Sequence, residues 1–176
     1  MVSKINNHFV IETKNLSYIF HINDVGYLVH DYFADKIVVE DFNALGQKQA
    51  YPKGSATVVD EDIDPNFSAD YSLLEYSFSQ KGDYREPAII LKSDSRGYTF
   101  DFRYHDYRIN NQVEEIKTIP MPHNLDEELI IVLKEANLNL FIELHYYISE
   151  KHDVLVKNVV FRNEDEETVT LEKIAS

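Results

Sequence analysis

Leu140-Phe141-Ile142-Glu143-Leu144-His145-Tyr146-Tyr147-Ile148 decides the fold of this chain. In an extended backbone, successive side chains point to opposite faces. Leu140, Ile142, Leu144, Tyr146 and Ile148 then share one face, while Asn139, Phe141, Glu143, His145 and Tyr147 take the other. Such alternation marks a half-buried strand. It recurs outward in both directions. Leu129, Ile131 and Leu133 come before it, and Val169 and Leu171 after it. Tyr98, Phe100, Phe102 and Tyr104 alternate with Thr99, Asp101, Arg103 and His105, and Tyr18, Phe20 and Ile22 alternate near the start.

Turn chemistry separates these runs. Asn23-Asp24-Val25-Gly26 suits a hairpin with Gly26 at positive φ, and Ser93-Asp94-Ser95-Arg96-Gly97 reads the same way. Polar connections at 149–153 and 163–167 make residues 129–174 read as a four-strand antiparallel meander. Asp31 to Lys36 reads as a turn at most, and helical spacing is weak throughout. Residues 41–70, with Pro52, Gly54 and Pro65, read as a long irregular excursion. Residues 110–126, with Pro120 and Pro122, read as a second connection. The expected fold is all-β: one large antiparallel β-sandwich of about ten strands, with long irregular loops and little helix. The 12 Tyr and 10 Phe suit sheet surfaces.

The chain has 176 residues, 31 acidic and 17 basic, for a formal charge of −14. A field of that sign repels phosphate backbones and anionic lipid, so neither nucleic acid nor membrane is an expected partner. There is no cysteine, and Met1 to Asn7 contains no apolar leader region. Both features suit the cytoplasm. Runs such as Leu129-Ile130-Ile131-Val132-Leu133 are too short to span a bilayer.

Chemistry is sparse. Asp60, Asp62, Asp64 and Asn66 have the spacing that opens a calcium loop, but its glycine position is Pro65 and its closing glutamate position is Tyr71. Of the 7 histidines, no two are placed three or four apart on a plausible helix, and neither His105 nor His145 has a histidine two residues away. Only strands distant in sequence could assemble a zinc site, so no metal and no cofactor are expected. No Gly-x-Ser-x-Gly turn or glycine-rich phosphate loop occurs. With 31 acids, spacing selects no catalytic pair, so no catalytic residue is named. The most distinctive loop is Gly82-Asp83-Tyr84-Arg85-Glu86-Pro87. Pro87 keeps Glu86 extended and starts a strand at Ala88. The planar fork of Arg85 could clamp a carboxylate across an interface or donate to sugar hydroxyls. The plainer reading is an internal salt bridge that fixes the turn, with Asp83 or Glu75.

An ordered set of short motifs resembles one family. Gly26-Tyr27-Leu28-Val29-His30, Phe67-Ser68-Ala69-Asp70, Glu75-Tyr76, the 82–87 loop, Asp101-Phe102-Arg103-Tyr104, Tyr107-Arg108-Ile109, Leu144-His145-Tyr146-Tyr147 and the stretch from Asn163 to Ser176 follow one another as they do in the N-terminal domain of family-36 glycoside hydrolases, the bacterial α-galactosidases. The resemblance implies a β-supersandwich over residues 1–176. It implies a downstream catalytic (β/α)8 barrel, absent from this chain, that carries both catalytic aspartates. It implies retaining, cofactor-free hydrolysis of terminal α-1,6-galactosides such as melibiose and raffinose. Its implied partners are that barrel, galactoside sugars and further copies of the chain, since many members are tetramers. In them the leading domain's long loop reaches a neighbour's active-site entrance. By position, Asp64, Asn66 and Phe67, together with Asp83, Tyr84 and Arg85, are the substrate-entrance or interface candidates. Pro65-Asn66 stands where members often carry arginine. The end at Lys173-Ile174-Ala175-Ser176 falls in mid-pattern and reads as a cut within a longer protein. A stand-alone carbohydrate-binding module and a pure interaction sandwich remain the competing expectations.

Overall fold

A computed structural model describes residues 1–46, 58–79, 83–113 and 121–176. The expectations that rest on Pro52, Gly54, Gly82 and Pro120 lie outside the described residues. The fold is all-β and consistent with the expected sandwich. A first sheet takes β1 (Val2–Ile5), β2 (His8–Glu12), β3 (Leu16–Ile22) and β4 (Leu28–Asp35) in chain order. Two short strands, β5 (Val58–Asp60) and β6 (Asp64–Ser68), form a hairpin, and β7 (Ile89–Ser93) comes next. A second sheet holds β8 (Phe102–Asn110), β9 (Glu127–Glu135), β10 (Leu140–Ser149) and β11 (Val154–Asn163), again in chain order. The final strand, β12 (Val169–Ile174), pairs with β7. Every pairing between these strands is antiparallel, and Phe78 makes a single parallel bridge to Ile89 of β7. No helix among the described residues is long and apolar enough to cross a membrane.

The core lies between the two four-stranded sheets. The face read on β10 is the buried one: Leu140, Ile142, Leu144, Tyr146 and Ile148 are each at most 2% exposed. They join Phe9, Ile11, Tyr18 and Phe20 of the first sheet in one cluster. Phe20 stacks on Tyr146 at 5.3 Å, and Phe9 meets the edge of Tyr107 at 5.3 Å. Each such pair adds about 1 kcal/mol beyond its area burial. Both glycine turns take the expected backbone, with φ of 91° at Gly26 and 62° at Gly97.

Four expectations need correction. The 129–174 meander stops at β11. The 163–168 connection folds on itself, with Asn163 Nδ2 donating to Glu167 O and Asp165 accepting from the amides of Asn139 and Glu167. Ser95 then donates to Glu167, which draws the chain to the 93–97 turn and sets Leu171 opposite Leu91. Residues 98–101 are not strand. The second sheet begins at Phe102, and a bulge between Tyr104 and Asp106 breaks the alternation further. Residues 31–35 are strand, not turn, because Asp31 is the extra residue of a bulge where Ile19 faces Tyr32 and Phe20 faces His30. Within the 41–70 excursion, Phe42–Ala44 form a 3-10 turn capped by Asp41. The β5–β6 hairpin is held by Asp60 accepting from Ile63 N and Asp64 accepting from Asn66 N.

Candidate functional site

Residues 73–75 extend the first sheet beyond β4. His30 N donates to Leu73 O, Glu75 N donates to Leu28 O, and Leu74 bridges to Val29. This pairing drives Glu75 inward until its side chain is 1% exposed. Tyr18 Oη donates to both carboxylate oxygens at 2.6 and 2.7 Å, Tyr146 Oη donates at 2.8 Å, and Lys157 Nζ donates at 2.5 Å. His30 Nδ1 lies 3.4 Å away. Burial alone would raise the Glu75 carboxyl, but His30, Lys157 and Tyr18 outweigh it and hold the group below its ordinary range. Burial, then the Glu75 charge, pushes the phenols of Tyr18 and Tyr146 far up, so both stay protonated donors. The result is a charged, fully partnered carboxylate joining both sheets. A group held in this state is a poor proton donor.

The hub floors a cleft of about 530 Å³, lined by Tyr18, Phe33, Leu73, Arg85 and Lys157 among others. Its rim is apolar, with Phe33 55% and Leu73 46% exposed. Arg85 takes the internal option. Its Nε and one terminal nitrogen grip both oxygens of Asp83 at 2.8 and 2.9 Å, and that nitrogen also donates to Ala69 O at 2.8 Å and Ser72 O at 2.9 Å. The Asp83 side chain is 3% exposed. This clamp ties the 69–72 loop to the entry of β7 and leaves Tyr84 outside, 82% exposed. Arg85→Ala would leave the Asp83 carboxylate only the backbone amide of residue 85 and would free two carbonyls. Because the guanidinium is 43% exposed, solvent discounts the cost to about 2 kcal/mol. Arg85→Lys should recover less than half of it, since an ammonium cannot fork. Urea midpoints read this directly, and a loss below about 0.5 kcal/mol would refute the clamp.

The other candidates fall nearby but differ in character. Asp64 caps the Asn66 amide at 2.8 Å, on β6. Phe67 is 7% exposed and meets the edge of Tyr27 at 5.5 Å, so it is a core residue. The chain passes from Ser68, the end of β6, straight to Ala69 under Arg85, so the two groups adjoin. Other motif residues also brace the interior. Tyr27 Oη donates to Asp101 at 2.8 Å, and Arg103 donates to Asp101 at 3.1 Å.

Two polar groupings were not singled out by spacing. On the outer face of the second sheet, a cleft of about 910 Å³ is lined by Arg108, Asn110, Glu128, His145 and Tyr147. There Glu128 lies 2.8 Å from both His145 Nδ1 and Asn110 Nδ2, and burial with the Glu128 charge pushes Tyr147 up to about 12. On the outer face of the first sheet, His8, His21 and Asp31 bring one ligand atom each to within 4.8 Å of one another. They are the group, among the described residues, that could hold a metal ion. Register is the signal that finds them, since His8 lies directly opposite His21 across β2 and β3.

Fold and site together define an antiparallel β-sandwich domain with a polar hub between its sheets and an apolar-rimmed cleft at its edge. The chain matches the glycosyl hydrolase family 36 N-terminal domain over residues 26–176, and it belongs to that family. It is 29% identical to the alpha-galactosidase Mel36A of Lactobacillus acidophilus over 175 residues, covering 97% of this chain and 24% of that protein. It is 26% identical to the bifunctional alpha-galactosidase/sucrose kinase AgaSK of Mediterraneibacter gnavus, covering 96% of this chain and 18% of that one. Among solved structures, a variant of the family-36 alpha-galactosidase AgaA from Geobacillus stearothermophilus in complex with raffinose superposes with a TM-score of 0.85 at 25% identity, over 96% of this chain and 24% of that chain. The chain thus spans about a quarter or less of the length of these relatives.

Proposed function

We propose that this chain is the non-catalytic leading domain of a cytoplasmic α-galactosidase, a retaining enzyme acting on terminal α-1,6-galactosides of the melibiose and raffinose type. The observation that carries the non-catalytic part is the commitment of three of its buried carboxylates to structural partners. Glu75 is held by Tyr18, Tyr146 and Lys157, Asp83 by Arg85, and Asp101 by Tyr27 and Arg103. Retaining hydrolysis needs two carboxyl groups about 5 Å apart and open to a sugar. These three brace the sandwich instead. The names of the relatives support the substrate class. In this reading the domain supports a downstream barrel and a homo-oligomer, and the β5–β6 hairpin reaches toward an active-site entrance. Exposed apolar side chains mark contact surfaces. Phe33 and Leu73 at the cleft, and Tyr84 beside the pinned Arg85, form the docking face.

In the full-length protein, Leu73→Asp combined with Tyr84→Ala should cost about 2 kcal/mol of inter-domain stability. The same pair should leave the isolated 176-residue chain unchanged. Calorimetric melting of both proteins tests this, and an unaffected full-length enzyme would count against the docking face. A second reading has one observation in its favour, the pairing of aromatic Tyr18 and Phe33 with charged Lys157 and Glu75 in the 530 Å³ cleft, which is the composition of a sugar site. Titration of the chain with galactose and raffinose separates the two. Saturable binding tighter than about 1 mM would favour a carbohydrate-binding module.

A further inference from the structure

We propose that the outer face of the first sheet carries a divalent-metal site of the zinc class, built from His8, His21 and Asp31. Neighbouring strands supply the ligands: His8 from β2, His21 opposite it on β3, and Asp31 from β4. A regular β4 would alternate Asp31 out of reach of one partner. The bulge at Asp31 adds a residue there and re-aims its carboxylate at the histidine pair. His21 Nδ1 lies 2.8 and 2.9 Å from the two Asp31 oxygens, and His8 Nε2 lies 3.9 Å from the nearer one. Ligands at about 2.1 Å from a tetrahedral zinc lie about 3.4 Å from one another. The observed His–Asp spacings bracket that value and all three ligand atoms lie within 4.8 Å of one another, so a cation entering between them asks for side-chain movement on the order of an ångström.

The surroundings favour such a cation. The Asp31 side chain is 5% exposed, while those of His8 and His21 are 20% and 27% exposed, so the site is shielded but reachable. The His8 ring is held by stacking on Phe42 at 4.4 Å. Gly46 lies over the carboxylate: a Cβ there would stand 2.9 Å from Asp31 Oδ1, and its φ of 77° favours glycine. Two imidazoles with one carboxylate select borderline divalent ions and leave coordination positions open for water. Bound metal would fasten the β4 bulge to β2 and β3 beneath the 42–46 segment. This site stands apart from the Glu75 hub on the core side, so its test does not depend on the function proposed for the domain.

The metal-stripped 176-residue chain is titrated with zinc chloride by calorimetry and with cobalt chloride by visible absorption. The expected result is one ion per chain, with cobalt bands of low coordination number. His8→Ala, His21→Ala and Asp31→Asn should each weaken zinc binding about tenfold or more, as loss of a direct ligand does. His152→Ala, at a remote exposed histidine, should not change it. Wild-type imidazole resonances give a reading that needs no variant, since zinc should move those of His8 and His21 and leave those of His105 and His152. Absence of saturable zinc binding, undiminished affinity in His21→Ala, or resonance shifts spread over the other histidines would each overturn the site, leaving His21 and Asp31 as a plain hydrogen-bonded pair.

Discussion

Replacing Glu75 with alanine is expected to destabilise this domain by about 3 kcal/mol, a drop of about 10 °C in melting temperature for a chain of this size. The carboxylate takes hydrogen bonds from Tyr18, Tyr146 and Lys157, and its loss leaves all three donors without their acceptor. Tyr146 is fully buried and cannot turn to water. Stranding a buried donor costs about 1–3 kcal/mol. Lys157 is 29% exposed and can swing outward, which keeps the total near the lower end of the range for broken buried pairs. Glu75→Gln keeps the shape but turns an amide nitrogen toward the donors, so about half the loss should remain.

The same residue sets an acid limb. Its folded carboxyl lies below the usual value of 4.5. The unfolded chain therefore binds the proton first, and stability rises with pH across that window. The Glu75 contribution is complete above about pH 5 and fades as pH falls through the folded value. Urea midpoints taken through that range should slope for the wild type and be flatter for Glu75→Gln. Equal slopes, or a cost under about 1 kcal/mol for Glu75→Ala, would remove Glu75 from its central place.

What the sequence disclosed divides along a physical line. The β10 face was legible because Leu140 through Ile148 alternate strictly and one face is wholly buried. Gly26 and Gly97 were legible because their turns require positive φ. Each is a local property of a few consecutive residues. The departure of β12 to pair with β7 was not legible, because Leu171 suits either sheet, and the choice rests on a Ser95–Glu167 contact spanning the fold. The Glu75 hub draws on residues 18, 30, 75, 146 and 157, which no spacing rule connects. Bulges hide further information, since the extra residue at Asp31 cancels the period-two signal where it aims a side chain. Arg85 shows the limit for a single residue. Its fork fitted both an internal and an external partner, and only the fold of the 69–72 carbonyls around it selects the internal one.

Removing residues 1–176 from the full-length protein should lower kcat/KM tenfold or more, about 1.4 kcal/mol of transition-state stabilisation, and disrupt its self-association. Domain interfaces within a chain cover about 600–1,500 Å². If the domain docks as proposed, cutting it away would expose the matching apolar area on the downstream barrel, against Phe33, Leu73 and Tyr84. A surface of that kind invites aggregation or slow unfolding, which would act on kcat through the fraction of active enzyme. Loss of the β5–β6 hairpin from the entrance would act differently, raising KM for raffinose more than for a small chromogenic galactoside, because only the longer sugar reaches past the first subsite. Sedimentation reads the assembly, and the two substrates separate the mechanisms. Adding the 176-residue chain back in trans should restore activity in proportion to rebinding, whereas the Leu73→Asp and Tyr84→Ala form should not. A truncated enzyme with unchanged kcat/KM and quaternary state would mean that the docking face meets no catalytic partner, and the interaction surface would then belong to another protein.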